Sequence, residues 1–314
     1  MNILVTRHDK IGDFITTLPM LQALKQQTDH KIIILVSKIN VTLAKELDFV
    51  DEVIEYEDCI FGLAKKIKAH NIDLSISCFI DTKIALALFL ARIKTRIAPA
   101  TKIAQVFFNQ KVTQRRSEVK KTEWEYNFDL AKAFDESLIC TPQRPFLSLN
   151  IKKPSKKRVA FHPGYGGSSD GNLTLDDYLA LARSIASKNI EIFFTFGPDD
   201  LKSKEYIQKH LDFEATIYES KGTIVDFCHF LATLELFVST STGPMHLSGM
   251  LNIKTISFFG DNTFASPKRW ATISDENLQH NFQIPKDYEK STFNAVEKTL
   301  TSSLQEAPPS LQEA

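Results

Sequence analysis

Val238-Ser-Thr-Ser-Thr-Gly-Pro-Met-His246 reads as the end of a strand, a loop of small polar residues and the opening turn of a helix. Pro244 suits a first helical turn, where its missing N–H has no partner to lose, and Gly243 frees the backbone just before it. The same order of parts occurs at the start of the chain, where Met1-Asn-Ile-Leu-Val-Thr-Arg7 leads into His-Asp-Lys-Ile-Gly-Asp13. It occurs again at Phe161-His-Pro-Gly-Tyr-Gly-Gly-Ser-Ser-Asp-Gly171. Strand, ligand-ready loop, helix, three times over: this is α/β architecture.

Working outward, short Ile- and Val-rich runs alternate with amphipathic stretches of about 10–15 residues, as βαβ units require. Strands are expected at 3–6, 31–37, 52–56, 74–78 and 96–98, with helices at 13–27, 41–47, 60–70, 82–91 and 123–134. After a Pro- and Lys-rich stretch at 140–157 the pattern restarts. Strands then fall at 158–162, 190–196, 215–219, 236–239 and 254–259, and helices at 175–187, 201–210, 224–233, 244–251 and 293–304. Continuous apolar strands such as Ile32-Ile-Ile-Leu-Val36 imply parallel sheets covered on both faces. The expected architecture is two doubly wound domains, 1–150 and 151–305, facing across a cleft. Residues 306–314, which complete a repeat of Ser-Leu-Gln-Glu-Ala (303–307 and 310–314), read as a frayed tail without function.

Composition narrows the function classes. The 314 residues carry 38 basic and 38 acidic side chains, and the net charge of zero argues against a general nucleic-acid binder. Arg92–Lys121 nevertheless holds nine Lys/Arg against the single acid Glu118. Nine of the 11 glycines lie between Gly164 and Gly260. The four cysteines form no CxxC pair and no zinc-ligand spacing, as expected of reduced thiols in a cytoplasmic protein. Met1–Arg7 reads as a short buried strand, so no secretion signal is expected, and the longest charge-free apolar run, Ile84–Ala91, is far short of the roughly 20 residues that span a bilayer.

Three loops could carry chemistry. Asp13 follows Gly12 at a helix start, where it could act as a base at the carboxyl edge of a sheet or simply cap the helix. Gly164, Gly166, Gly167 and Gly171 could expose successive N–H groups to an anion, or form a flexible turn. Ser241, Thr242 and Gly243 offer hydroxyls and N–H groups at a helix N-terminus, which favours phosphate, with His246 one turn in. No GxGxxG is present, so the dinucleotide fingerprint is absent and an oxidoreductase is disfavoured.

In combination these loops resemble glycosyltransferase family 9, the bacterial lipopolysaccharide heptosyltransferases. The resembling residues are Arg7…Gly12-Asp13 with Thr17-Leu-Pro19, His162–Ser168 with Asn172–Tyr178, and Ser241–His246 with Ser257–Gly260; Thr195–Asp199 and Pro267–Trp270 also fit. The resemblance implies a GT-B fold and an inverting, metal-independent transfer from a nucleotide sugar, typically ADP-heptose, with no other cofactor. It implies Asp13 as general base. Gly12, His162, Gly164, Gly166, Gly167, Ser168, Ser241, Thr242, Gly243 and His246 would lie on the donor side. Arg7, Lys10, Lys120 and Lys121, with the basic stretch around them, would meet an acidic glycolipid acceptor. Transient contact with the inner membrane face is a second use of those charges.

Two positions depart from the family pattern. Ser241 stands where many members have Asp, and Gly171 where a Lys or Arg commonly precedes the Asn-Leu segment, leaving Lys10 as a candidate cation for the leaving group. A catalytically weak nucleotide-sugar binder, another donor, or a protein acceptor therefore stay open.

Overall fold

The computed structural model describes residues 1–164, 171–187 and 189–305. They form two compact units, Met1–Leu147 and a second beginning at Ser148. The expectations for Gly166, Gly167, Ser168 and the tail at 306–314 lie outside the described residues.

In the first unit the strands are β1 (Asn2–Arg7), β2 (Lys31–Val36), β3 (Glu52–Glu55), β4 (Leu74–Ser77), β5 (Thr95–Pro99) and β6 (Gln110–Val112). In the second they are β7 (Lys157–His162), β8 (Ile190–Thr195), β9 (Thr216–Tyr218), β10 (Leu236–Thr240), β11 (Lys254–Phe259) and β12 (Gln279–Gln283). Every pairing is parallel. The orders are β3-β2-β1-β4-β5-β6 and β12-β11-β10-β7-β8-β9. Renumbered from its own first strand, the second order is the same as the first. Each sheet therefore reverses direction of growth between its first and fourth strands, and open α/β sheets bind ligands beyond the carboxyl ends at that point.

Burial explains why the central strands read so clearly. Ile3, Leu4 and Val5 in β1, and all of Ile32–Val36 in β2, have no exposed surface. The helices supply the covers: α1 (Ile11–Ile15), α2 (Leu18–Gln27), α3 (Val41–Lys45), α4 (Ile60–Ala69), α5 (Thr82–Leu90) and α6 (Glu123–Lys132) in the first unit. The second has α7 (Leu175–Ser184), α8 (Leu201–His210), α9 (Ile224–Leu231), α10 (Gly243–Met250), α11 (Pro267–Trp270) and α12 (Lys290–Gln305).

Two features differ from expectation. The edge strands β6 and β12 add a sixth member to each sheet; Gln110-Lys-Val and Gln279-His-Asn-Phe-Gln are polar and half-exposed, so no apolar run announces them. The single helix expected at 13–27 is two. Pro19 has no N–H to give Ile15, and the hydroxyls of Thr16 and Thr17 bond the carbonyls of Asp13 (2.7 Å) and Phe14 (2.6 Å). The break leaves α1 as little more than one turn, which presents Gly12 and Asp13 directly after β1.

Close packing in the second unit depends on Gly249 in α10. A Cβ there would lie 2.3 Å from the Thr272 side chain, which is itself buried and bonded to Ser274 (2.8 Å). Gly249→Ala should therefore lower stability by about 1–3 kcal/mol despite its better helix propensity, as read from thermal or urea unfolding. Unchanged or raised stability would contradict this packing.

Candidate active site

The first unit's switch point is built around Arg7, the last residue of β1. Its guanidinium is buried and gives Nε to Asp9 (2.8 Å) and Nη2 to Asp13, while Nη1 faces the Cys78 carbonyl (3.4 Å), Asn127 (3.4 Å) and Glu123 (3.5 Å). Burial opposes its charge, but the carboxylates of Asp9, Asp13 and Glu123 outweigh it and hold the guanidinium above its ordinary value. Asp9 is raised, first by burial and then by neighbouring Asp13, with Arg7 working against both.

Asp13 is not a helix cap. Lys10 occupies that position, and the Asp13 carboxylate turns instead to Arg7 through Oδ1. Its second oxygen has no partner among the described residues, and the side chain is 19% exposed. The result is a carboxylate held at one oxygen and open at the other.

The support for this arrangement comes from α6. Asn127 donates to the Thr16 carbonyl (3.2 Å) and hydroxyl (3.0 Å), which fixes the α1–α2 break. Arg116 bonds Glu123 and approaches Asn127 (3.5 Å). Glu123 and Asn127 are four apart and so share a helix face. Sequence reasoning missed this trio; that spacing, behind the Thr122–Glu125 capping box, was its only local signal.

The acceptor-side candidates separate. Arg7 is interior and serves Asp13. Lys10, Lys120 and Lys121 are exposed; Lys120 pairs with Glu118 (2.6 Å) and Lys121 with Asp129 (2.8 Å). Exposed pairs of this kind are weak enough to exchange for a ligand.

In the second unit, β7 ends at His162 beside Ser239 of β10. His162 is buried, bonded to the Thr195 hydroxyl (3.0 Å) and 3.8 Å from Asp200. Burial pushes its pKa down to about 4, against the pull of Asp200 and of Thr195, so the imidazole is neutral near pH 7 and the Asp200 contact is not an ion pair. Asp200 also accepts the Gly197 N–H (2.8 Å), and a Cβ on Gly164 would lie 2.0 Å from its carboxyl carbon. Gly164 is thus required by close approach.

Past the loop, Asn172 bonds the Pro163 carbonyl (3.0 Å) and accepts the buried Tyr178 hydroxyl (2.7 Å), which staples the loop's two ends. Gly171 is pressed on β11: a Cβ would sit 2.1 Å from the Phe259 carbonyl group. No side chain fits there, so a cation at this position is sterically excluded.

Beyond β10, Ser241 gives its N–H to the Phe258 carbonyl (2.8 Å), so only its hydroxyl is left for an anion, contrary to expectation. Thr242 caps α10 by position, yet its hydroxyl turns to the Thr240 carbonyl (3.3 Å) and leaves the first-turn N–H groups without a side-chain acceptor. His246, buried, meets Trp270 edge-on at 6.4 Å. Arg269, in the Pro267–Trp270 segment that fits the family but was given no role from sequence, stacks on Phe264 (3.8 Å) and Trp270 (4.8 Å). Among the described residues no three His, Cys, Asp or Glu converge as metal ligands would, and no helix is long and apolar enough to cross a membrane.

Comparison with known proteins places this geometry. Residues 60–299 match the model of glycosyltransferase family 9 (heptosyltransferase). A Haemophilus influenzae protein named "Putative glycosyltransferase" is 35% identical over 300 residues, covering 87% of this chain and 86% of that one. The E. coli ADP-heptose lps heptosyltransferase II structure superposes with a TM-score of 0.79 at 16% identity over 97% of this chain and 98% of that one. E. coli heptosyltransferase WaaC with ADP gives 0.76 at 18% identity over 96% and 100%. The two parallel sheets are those of the GT-B fold.

Burial of His162 has a measurable consequence. Its folded pKa lies below the ordinary 6.5, so the folded state resists a proton that the unfolded state accepts. Its contribution is intact above pH 6.5 and is lost as pH falls toward 4, by up to about 3 kcal/mol. Urea unfolding across that window should show a smaller pH slope in His162→Gln than in the parent; equal slopes would contradict a buried neutral imidazole.

Proposed function

The chain belongs to glycosyltransferase family 9, and we propose that it carries out an inverting, metal-independent sugar transfer onto an acidic glycolipid acceptor, with heptose from ADP-heptose onto a lipopolysaccharide-type core as the favoured pair. The observation that carries this reading is the Asp13 carboxylate, held by Arg7 at one oxygen and open at the other beyond the end of β1. The open oxygen accepts the proton of the acceptor hydroxyl as that hydroxyl's oxygen bonds the anomeric carbon. The bond to the nucleoside diphosphate breaks on the opposite face, and its electron pair leaves on a phosphate oxygen.

A departing diphosphate needs positive potential. The uncapped N-terminus of α10 supplies it through the N–H groups of Gly243 and Met245, joined by the Ser241 and Thr242 hydroxyls and His246. Adenine and heptose are favoured because the structural relatives carry ADP and ADP-heptose in their names. Lys10, Lys120 and Lys121 pair the acidic groups of the acceptor. A second reading, donor binding without turnover, draws on Gly171, which cannot carry the cation common in relatives.

Asp13→Asn keeps the shape and removes the base. It should lower transfer by about 10²–10⁴-fold, while thermal shift shows ADP-sugar binding retained. The parent's activity should survive EDTA. Full activity in Asp13→Asn would remove Asp13 from the role, and donor binding without transfer by the parent would favour the second reading.

A further inference from the structure

Asp9 has no part in the transfer as derived so far, yet it shares the guanidinium that holds the base. Arg7 gives Nε to Asp9 (2.8 Å) and Nη2 to Asp13, so one cation carries both carboxylates. The two side chains are alike in access, 17% and 19% exposed, and among the described residues neither pairs with a second cation. Glu123, the third carboxylate on Arg7, differs in that it also bonds Arg116. Asp9 is held from the side of β2 as well: its carbonyl accepts the Ser37 hydroxyl (2.9 Å), which Asn40 bonds in turn (3.2 Å). Its place on Arg7 is therefore a fixed feature of the loop.

A guanidinium that orients a carboxylate also favours its charged form, and so opposes the proton the carboxylate is meant to take. A second carboxylate on the same guanidinium works the other way, because like charges disfavour one another. Asp9 shows the effect: burial raises it most, Arg7 opposes, and Asp13 raises it further. Coupling between two sites is reciprocal, so the charge of Asp9 acts on Asp13 in equal measure. The surrounding groups leave the pair to itself. His8 turns to Asp81 (2.9 Å), Lys10 and Lys38 are exposed, and burial pushes the Cys78 thiol up to about 12, so it stays neutral.

We propose that Asp9 is a positioning residue for the transfer, occupying the Nε side of Arg7 so that one guanidinium orients Asp13 without quenching it as a base. The inference rests on Asp13 as the base. The bonds made and broken are those already described, with the hydroxyl proton passing to the open oxygen of Asp13. Asp9 acts only through Arg7 and through its own charge.

Asp9→Asn keeps an oxygen for Arg7 Nε and removes only the charge. Heptose transfer from ADP-heptose to a lipopolysaccharide core is followed from about pH 5 to 9 in the parent and in this variant. The parent should be faster by roughly tenfold at the alkaline end, and the ratio should fall toward one as pH falls and Asp9 takes its proton. Asp9→Glu, which restores the charge, should regain the pH-dependent part. In parallel, NMR of protein labelled at the aspartate carboxyl carbons follows Asp9 itself. It should take its proton at least about one pH unit lower in Asp13→Asn than in the parent. Thermal unfolding checks that each variant is folded. A parent-to-variant ratio that is the same at every pH would reduce Asp9 to a structural contact and overturn the proposal. So would an Asp9 titration that Asp13→Asn leaves in place. If the parent transfers nothing, the transferase reading fails, and the NMR titration decides the coupling by itself.

Discussion

A single buried guanidinium organises the switch point of the first unit. Isolating Arg7 from water costs several kcal/mol unless its charge and donors are met, and three carboxylates, a carbonyl and an amide meet them. Those partners come from the loop after β1, from the end of β4 and from α6, elements distant in the chain. Satisfying Arg7 therefore fixes the loop, the helix break at Pro19 and the orientation of Asp13 together. The open oxygen of Asp13 is a by-product of solving an electrostatic problem.

The second unit uses the same strand order for a different charge. Its switch point gathers donors rather than carboxylates: an uncapped helix N-terminus, two hydroxyls and a histidine kept neutral by burial. Beside it, Gly164 and Gly171 let the backbone press closely on the Asp200 side chain and on β11. On the proposed reading, the carboxylate of the first unit would take the acceptor's proton and the donors of the second would meet the leaving diphosphate.

The central strands were legible because β1 and β2 carry apolar runs buried on both faces, and the loops after the central strands carried Gly, Pro and small hydroxyls in a readable order. The edges were not, since β6 and β12 answer to one neighbour and to water. Asp13 could be singled out from sequence, but base and cap were indistinguishable until Lys10 proved to occupy the cap. Arg7 was assigned to the acceptor because an arginine near a loop suggests a ligand contact; only packing reveals that it is interior. Asn127 and Glu123 lie more than a hundred residues from Arg7, and Ser241's N–H is consumed by sheet register, a fact of pairing that no local pattern carries.

The central claim is that Arg7 works through Asp13. A double-mutant cycle on sugar transfer tests it, with Arg7→Lys and Asp13→Asn measured singly and together, and folding checked by thermal unfolding. If Arg7 positions the base, the double variant should transfer no more slowly than Asp13→Asn alone. Losses that multiply would show Arg7 acting independently of Asp13 and contradict the account.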